Sequence, residues 1–276
     1  MPYDHGEKAG NKGDVWKHVI LLSVMAKILP RRPAGEVRYF ETHCGKMSYL
    51  LSPGGEWREG IGKGSNPRND AADHPYFQLQ DCPAEIGSMY RGSWSLVAAY
   101  LRRKGYPFRF TLCDTSDDVG QSVLAYAPRP AEAIEFLCTD GFTALKRSLH
   151  RQGLIFIDPP YTPPKVTHDW KHASDMAAVL ARSSLPFLIW YPLVDKDHPQ
   201  MLVDNGRSPG YEVQWKRKGG KIKMAGAGMV MGNCGSLFDS ADFTFLKGMA
   251  VRLGGGFHVR EALSVHSKNT SDGLIT

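Results

Sequence analysis

Residues 153–161, Gly-Leu-Ile-Phe-Ile-Asp-Pro-Pro-Tyr, limit what this chain can fold into more than any other stretch. Four apolar residues in a row describe a buried strand. Asp158 falls at the end of that strand. Pro159 and Pro160 then prevent the ladder from continuing, because proline has no N–H to donate. Such a strand needs partners, and the alternation of strand and helix along the rest of the chain is the signature of an open, mostly parallel α/β sheet.

The remaining pattern supplies those partners. Apolar residues at helical spacing predict a helix over 14–29, with Asp14 near its N-cap and Pro30 closing it. Strands are expected at 36–43, 108–114, 134–140, 154–158 and 186–192, and helices at 93–105, 116–127, 142–149 and around 174–184. A hairpin-like zone follows Trp215. Between 48 and 92 glycine, proline and acids are scattered without sustained periodicity, which points to a small inserted subdomain with short helices. The 276 residues then suit one domain, a mostly parallel twisted sheet with helices on both faces, carrying that insertion.

Four predicted strands end in a polar residue: His43, Asp114, Asp140 and Asp158. Taken singly, each acid could be an ordinary helix N-cap. Together they converge beyond the carboxyl ends of the strands, where open α/β sheets bind their ligands.

The chemistry at Asp158 follows from its neighbours. An amino group on an aromatic base is a poor nucleophile because its lone pair is delocalised into the ring. A carboxylate and a backbone carbonyl accepting its two N–H bonds would favour a pyramidal nitrogen and aim the lone pair outward. Pro159 and Pro160 supply carbonyls on a stiff backbone, and Tyr161 supplies a face for stacking. The carboxylate accepts the proton once the nitrogen has been alkylated, as a general base late in the step.

Other features bound the function. The five cysteines include no C-x-x-C pair and the ten histidines no H-E-x-x-H pattern, so no metal site is expected. No apolar run reaches the ~18 residues of a membrane span, and the opening residues have no apolar leader core, so a cytoplasmic protein is expected. The net charge of +6 is concentrated in places: Lys216, Arg217 and Lys218 flank a Gly-Gly turn, and Lys8, Lys12 and Lys17 lie near the start. These are either solvated surface or contacts to a polyanion such as nucleic acid.

The motif D-P-P-Y after an apolar strand resembles that of adenosylmethionine-dependent amino methyltransferases. Adding 3–18, ETHCG (41–45), DGFTALK (140–146), IWYP (189–192) and MAGAGMVMGN (224–233), the chain resembles the bacterial 23S rRNA adenine-N6 methyltransferase RlmJ family over nearly its whole length. The resemblance implies a Rossmann-like class I methyltransferase fold with S-adenosylmethionine as cofactor. It places cofactor contacts at His18, His43, Ser93, Asp114, Asp140 and Gly141, with Asp114 on the ribose hydroxyls. It makes Asp158 the catalytic acceptor and sets Pro159, Pro160 and Tyr161 around the target adenine, with Tyr3 near the RNA. Where the family has a second loop glycine this chain has Met47, whose side chain could obstruct the cofactor. Two other readings stay open: the same chemistry on DNA or another RNA, and a nucleic-acid-binding protein of this fold without turnover.

Overall fold

The computed structural model describes residues 5–32, 35–64, 73–80, 84–149, 153–194, 197–215 and 224–263. The elements run α1 (His5–Lys8), α2 (Lys12–Ile28), β1 (Val37–Glu41), β2 (Ser48–Leu50), α3 (Ile61–Gly64), α4 (Pro75–Leu79), β3 (Met89–Arg91) and α5 (Ser93–Lys104). There follow β4 (Phe108–Asp114), α6 (Asp117–Leu124), β5 (Glu132–Cys138), α7 (Gly141–Ser148), β6 (Leu154–Ile157), α8 (Val166–Leu180) and β7 (Phe187–Pro192). The chain continues through α9 (Asp197–Gly206), β8 (Gly210–Trp215), β9 (Gly226–Gly232), α10 (Ser240–Arg252) and β10 (Gly255–Arg260).

One large sheet has the order β10-β8-β9-β7-β6-β1-β4-β5. From β5 to β7 every pairing is parallel, whereas β9 lies antiparallel between β7 and β8, and β10 is antiparallel to β8. The chain builds β1, β4 and β5 outward on one side and returns with β6 and β7 on the other. That reversal opens a crevice between β1 and β6, at the topological switch point where Rossmann-like sheets take their ligands.

The apolar run of β6 is explained by its place in the middle. Leu154 and Phe156 enter the core shared with α2 and α5, whereas Ile155 and Ile157 enter the second core beneath α7, α8 and α9. Successive strand residues point to opposite faces, so helices on both sides make every position apolar.

The helix expected from Asp14 begins two residues earlier. Asn11 is its N-cap, with Oδ1 accepting the Asp14 N–H at 3.0 Å, and Asp14 lies inside the first turn. The stretch 48–92 contains α3, α4 and a 3₁₀ turn, together with a two-stranded antiparallel sheet of β2 and β3 that sequence reading did not anticipate. The zone after Trp215 holds β9 and β10 separated by the 13-residue α10, not a simple hairpin. No described helix is long and apolar enough to cross a membrane.

Candidate active site

A cavity of about 940 Å³ opens beyond the carboxyl ends of β1, β4, β6 and β7. The side chains after those strands form its floor, the first turns of α2 one wall, and Tyr49 and Tyr90 of the β2–β3 pair another.

At its centre Lys17 bridges two carboxylates, with Nζ 2.7 Å from Asp158 Oδ2 and 2.9 Å from Asp14 Oδ1. The Lys17 and Asp158 side chains are each 12% exposed. Asp14 is anchored in turn by the Gly10 N–H, which donates to Oδ2 at 3.0 Å. Burial alone would lower the Lys17 pKa, but the two acids raise it above the ordinary lysine range, so the ammonium stays charged. Burial raises the Asp158 carboxyl above its usual value, with Lys17 opposing and Asp14 adding to the rise. At Asp14 burial is outweighed by Lys17 and the hydrogen bonds it receives, and its pKa is lowered. Asp158 Oδ1 has no hydrogen-bond partner among the described residues. Of the two readings open for Lys17, solvated surface or a contact to a polyanion, neither describes its place: its charge lies inside the site, between two acids. Only the spacing of α2 could have hinted at this, since Asp14 and Lys17 are one turn apart.

Pro159, Pro160 and Tyr161 line the cavity next to Asp158. Tyr161 has a left-handed backbone, with φ 48°, uncommon for a bulky residue. Its ring lies 4.4 Å from that of Trp170, and its hydroxyl donates to the Trp190 carbonyl at 3.1 Å. The ring is thus packed into the wall and presents only a small face to the cavity.

His18, His43, Ser93, Asp114, Asp140 and Gly141 all border the same cavity. His18 is buried on α2, with Nδ1 2.9 Å from the Tyr90 hydroxyl, and burial with the nearby Lys17 charge holds its pKa down to about 3. His43 is held down to about 4, chiefly by burial, so both imidazoles are neutral at physiological pH. Asp114 draws the loops after β1 and β4 together: Oδ2 accepts from the Gly45 N–H at 3.3 Å and Oδ1 from the Ser116 N–H at 2.9 Å. Asp140 is the N-cap of α7, accepting the Thr143 N–H at 2.8 Å. At Gly141 an added Cβ would lie 1.9 Å from the Thr42 carbonyl oxygen, so only glycine lets these two loops approach. Ser93 donates its hydroxyl to Glu41, a fully buried acid that also accepts from the Tyr39 hydroxyl at 2.8 Å. Burial raises the Glu41 carboxyl well above its usual range.

Met47 does not enter the cavity. Its side chain packs against the main core, its N–H donates to Ser122 Oγ at 2.9 Å, and its carbonyl accepts from the Gly92 N–H at 2.9 Å. Tyr3, Lys216, Arg217 and Lys218 lie outside the described residues, although Trp215 and Met224, on either side of the basic loop, reach the cavity rim. Among the described residues no cluster of histidine, cysteine and acidic side chains is arranged to hold a metal.

Comparison with known proteins gives a consistent set of relatives. Residues 36–246 match the family described as Ribosomal RNA large subunit methyltransferase D, RlmJ. The chain is 27% identical to Ribosomal RNA large subunit methyltransferase J of Haemophilus influenzae over 237 residues, covering 82% of this chain and 80% of that protein. It is 26% identical to the protein of the same name from Escherichia coli K12 over 235 residues, covering 76% of each. A crystal structure of a protein from Legionella pneumophila superposes with a TM-score of 0.76 at 23% identity, covering 93% of this chain and 99% of the other.

Proposed function

The chain belongs to the family described as Ribosomal RNA large subunit methyltransferase D, RlmJ, and from that premise we propose that it methylates the N6 of an adenine in 23S rRNA, with S-adenosylmethionine as donor. Asp158 carries this reading. It stands beside the switch point, gives one oxygen to Lys17 and leaves the other without a partner among the described residues. Lys17 restrains the rotation of the carboxylate, so Oδ1 has a defined direction in which to accept one N–H of the target amine. The proline turn offers carbonyls, and no competing prolyl N–H, for the second. The neutral amine is far too weak an acid for a carboxylate to deprotonate. After alkylation the cationic nitrogen is strongly acidic, and Asp158 takes its proton.

The cavity suits the donor. Neutral His18 and His43 set no positive charge against a sulfonium. Asp114 receives one N–H at each oxygen, which leaves lone pairs for the ribose hydroxyls. The close approach at Gly141 keeps side chains out of the cradle between the loops after β1 and β5. These four residues, with Ser93 and Asp140, would hold S-adenosylmethionine, which when bound supplies an electrophilic methyl group. In this reading 48–92 is an inserted subdomain that walls the site of a single methyltransferase domain. Pro159, Pro160 and Tyr161 meet the flipped adenine, with Tyr3 near the RNA, while Lys216, Arg217 and Lys218 meet phosphates. The reaction then takes place in the cytoplasm, on rRNA.

The test is Asp158→Ala, assayed on a 23S rRNA transcript by mass spectrometry of its nucleosides and by calorimetric titration with S-adenosylmethionine. We expect N6-methyladenosine to disappear while donor affinity stays within a few-fold of the parent. Turnover retained within a few-fold would remove Asp158 from the acceptor role.

A further inference from the structure

Asp169 is a nearly fully buried acid to which the catalytic step just described assigns no part. Its side chain is 2% exposed, in the first turn of α8, and no lysine or arginine is paired with it among the described residues. Oδ2 accepts the backbone N–H of Tyr161 at 3.1 Å. Oδ1 lies 3.3 Å from Nδ1 of His168, a half-exposed side chain at the cavity rim. An acid is costly to bury without a strong partner, so its place here calls for an explanation beyond packing.

We propose that Asp169 is the positioning residue of the target-amine site, which fixes the Pro160–Tyr161 peptide and through it the acceptor carbonyls of the proline turn. This rests on the reading of Asp158 and its prolines as an amine-methylating site. The argument begins with what each peptide can donate. Asp158–Pro159 and Pro159–Pro160 have no N–H, so the first backbone donor after the acid is that of Tyr161. A trans peptide is planar, with its N–H and C=O pointing in opposite directions. The Pro160–Tyr161 bond is not among the cis peptides. Holding the Tyr161 N–H on Asp169 therefore turns the Pro160 carbonyl away from α8, and the fixed φ of Pro160 extends that constraint back to Pro159.

The left-handed φ of Tyr161 is the second observation. A bulky residue keeps such a backbone only where its surroundings over-determine it. Here three contacts do so: Asp169 on the N–H, Trp170 against the ring and the Trp190 carbonyl on the hydroxyl. Consecutive residues of α8 thus grip the backbone and the ring of the same tyrosine. Without Asp169 a buried N–H is left unpaired and the turn is free to relax to negative φ, which swings the carbonyls off the amine.

The experiment compares Asp169→Ala, Asp169→Ser and Asp169→Asn in the full-length protein. The readouts are single-turnover methylation at saturating 23S rRNA transcript, RNA affinity, and calorimetric affinity for S-adenosylmethionine. Alanine and serine cannot reach the Tyr161 N–H, so each should slow the single-turnover rate at least tenfold while RNA and donor affinities stay within about twofold. Asparagine keeps an acceptor oxygen in place and should restore the rate to within about threefold of the parent. A parental rate in a folded, donor-binding Ala or Ser variant overturns the inference. So does an Asn variant as slow as Ala, since the negative charge and not the hydrogen bond would then be required. Failure of the underlying reading looks different: the parent itself would leave adenine unmodified.

Discussion

Replacing Lys17 with methionine tests the electrostatics of the site most directly. The substitution keeps most of the side-chain volume on α2 and removes the cation that bridges Asp14 and Asp158. Both carboxylates are largely buried, at 23% and 12% exposure, so solvent replaces little of what is lost. Deleting one partner of a buried pair typically costs about 3–5 kcal/mol, because the remaining charge is uncompensated. For a chain of this size that corresponds to roughly 6–20 °C of thermal midpoint, at about 2–4 °C per kcal/mol. The acids can escape the penalty by taking up a proton, and this fixes the pH dependence. Asp158 already has a raised pKa in the folded state, and loss of Lys17 raises it further. A carboxyl whose folded pKa exceeds its unfolded value favours the folded state at low pH and loses that contribution as pH rises. The deficit of Lys17→Met against the parent should therefore be smallest near pH 4 and widen toward pH 8. Methylation should follow the ionised form of Asp158, with its acid limb displaced to higher pH in the variant. Urea unfolding at several pH values, alongside single-turnover rates, provides the check. A deficit that does not change with pH, or an unmoved acid limb, would refute the charge-bridge account.

Three further outcomes are expected. Asp114→Ala should weaken S-adenosylmethionine binding by about 1–3 kcal/mol, the usual loss for a charged acceptor, and unchanged calorimetric affinity would place the ribose elsewhere. Glu41→Gln removes a buried acid with a strongly raised pKa, so parent stability should fall relative to the variant as pH rises above the unfolded carboxyl value. The gap grows by about 1.4 kcal/mol per pH unit until the folded pKa is reached, and thermal melts from pH 4 to 9 that show no widening gap would contradict it. Alanine at Lys216, Arg217 and Lys218 should weaken RNA binding regardless of sequence and flatten its salt dependence, since fewer counterions are released; a parental slope would send the RNA path over another surface.

Much of the sheet was legible because its strands are nearly pure hydrophobic signals. The strand expected at 108–114 coincides with β4, and that at 154–158 with β6 and the acid that follows it. The expected strand at 134–140 began two residues late, because β5 is an edge strand whose Glu132 points to partners on Arg102 and breaks the apolar run. Tertiary pairing, and not local pattern, placed that charge in a strand. α10 escaped notice because its apolar residues are spread around the helix, although the capping box from Asp239 to Asp242 was a usable start signal. In the site, strand ends identified the acids, since side chains that terminate parallel strands must share an edge. Lys17 and Asp169 left no such trace. Each acts on a group fixed by the fold alone, and a salt bridge or a side-chain bond to a distant backbone N–H has no sequence period.

The bridge from Lys17 to Asp158 joins residues 141 positions apart, and so it has a consequence for biosynthesis. At about 5–20 residues per second, the acid leaves the ribosome roughly 7–28 s after the lysine. Until then Lys17 has Asp14 but not Asp158 to pair with, and β1, which lies between β4 and β6, still lacks β6. Lys17 therefore emerges well before the acid it pairs with across the sheet. Synthesis of residues 154–158 supplies both the strand that lies beside β1 and the second acid of the bridge, so a chain released before residue 154 lacks the two together.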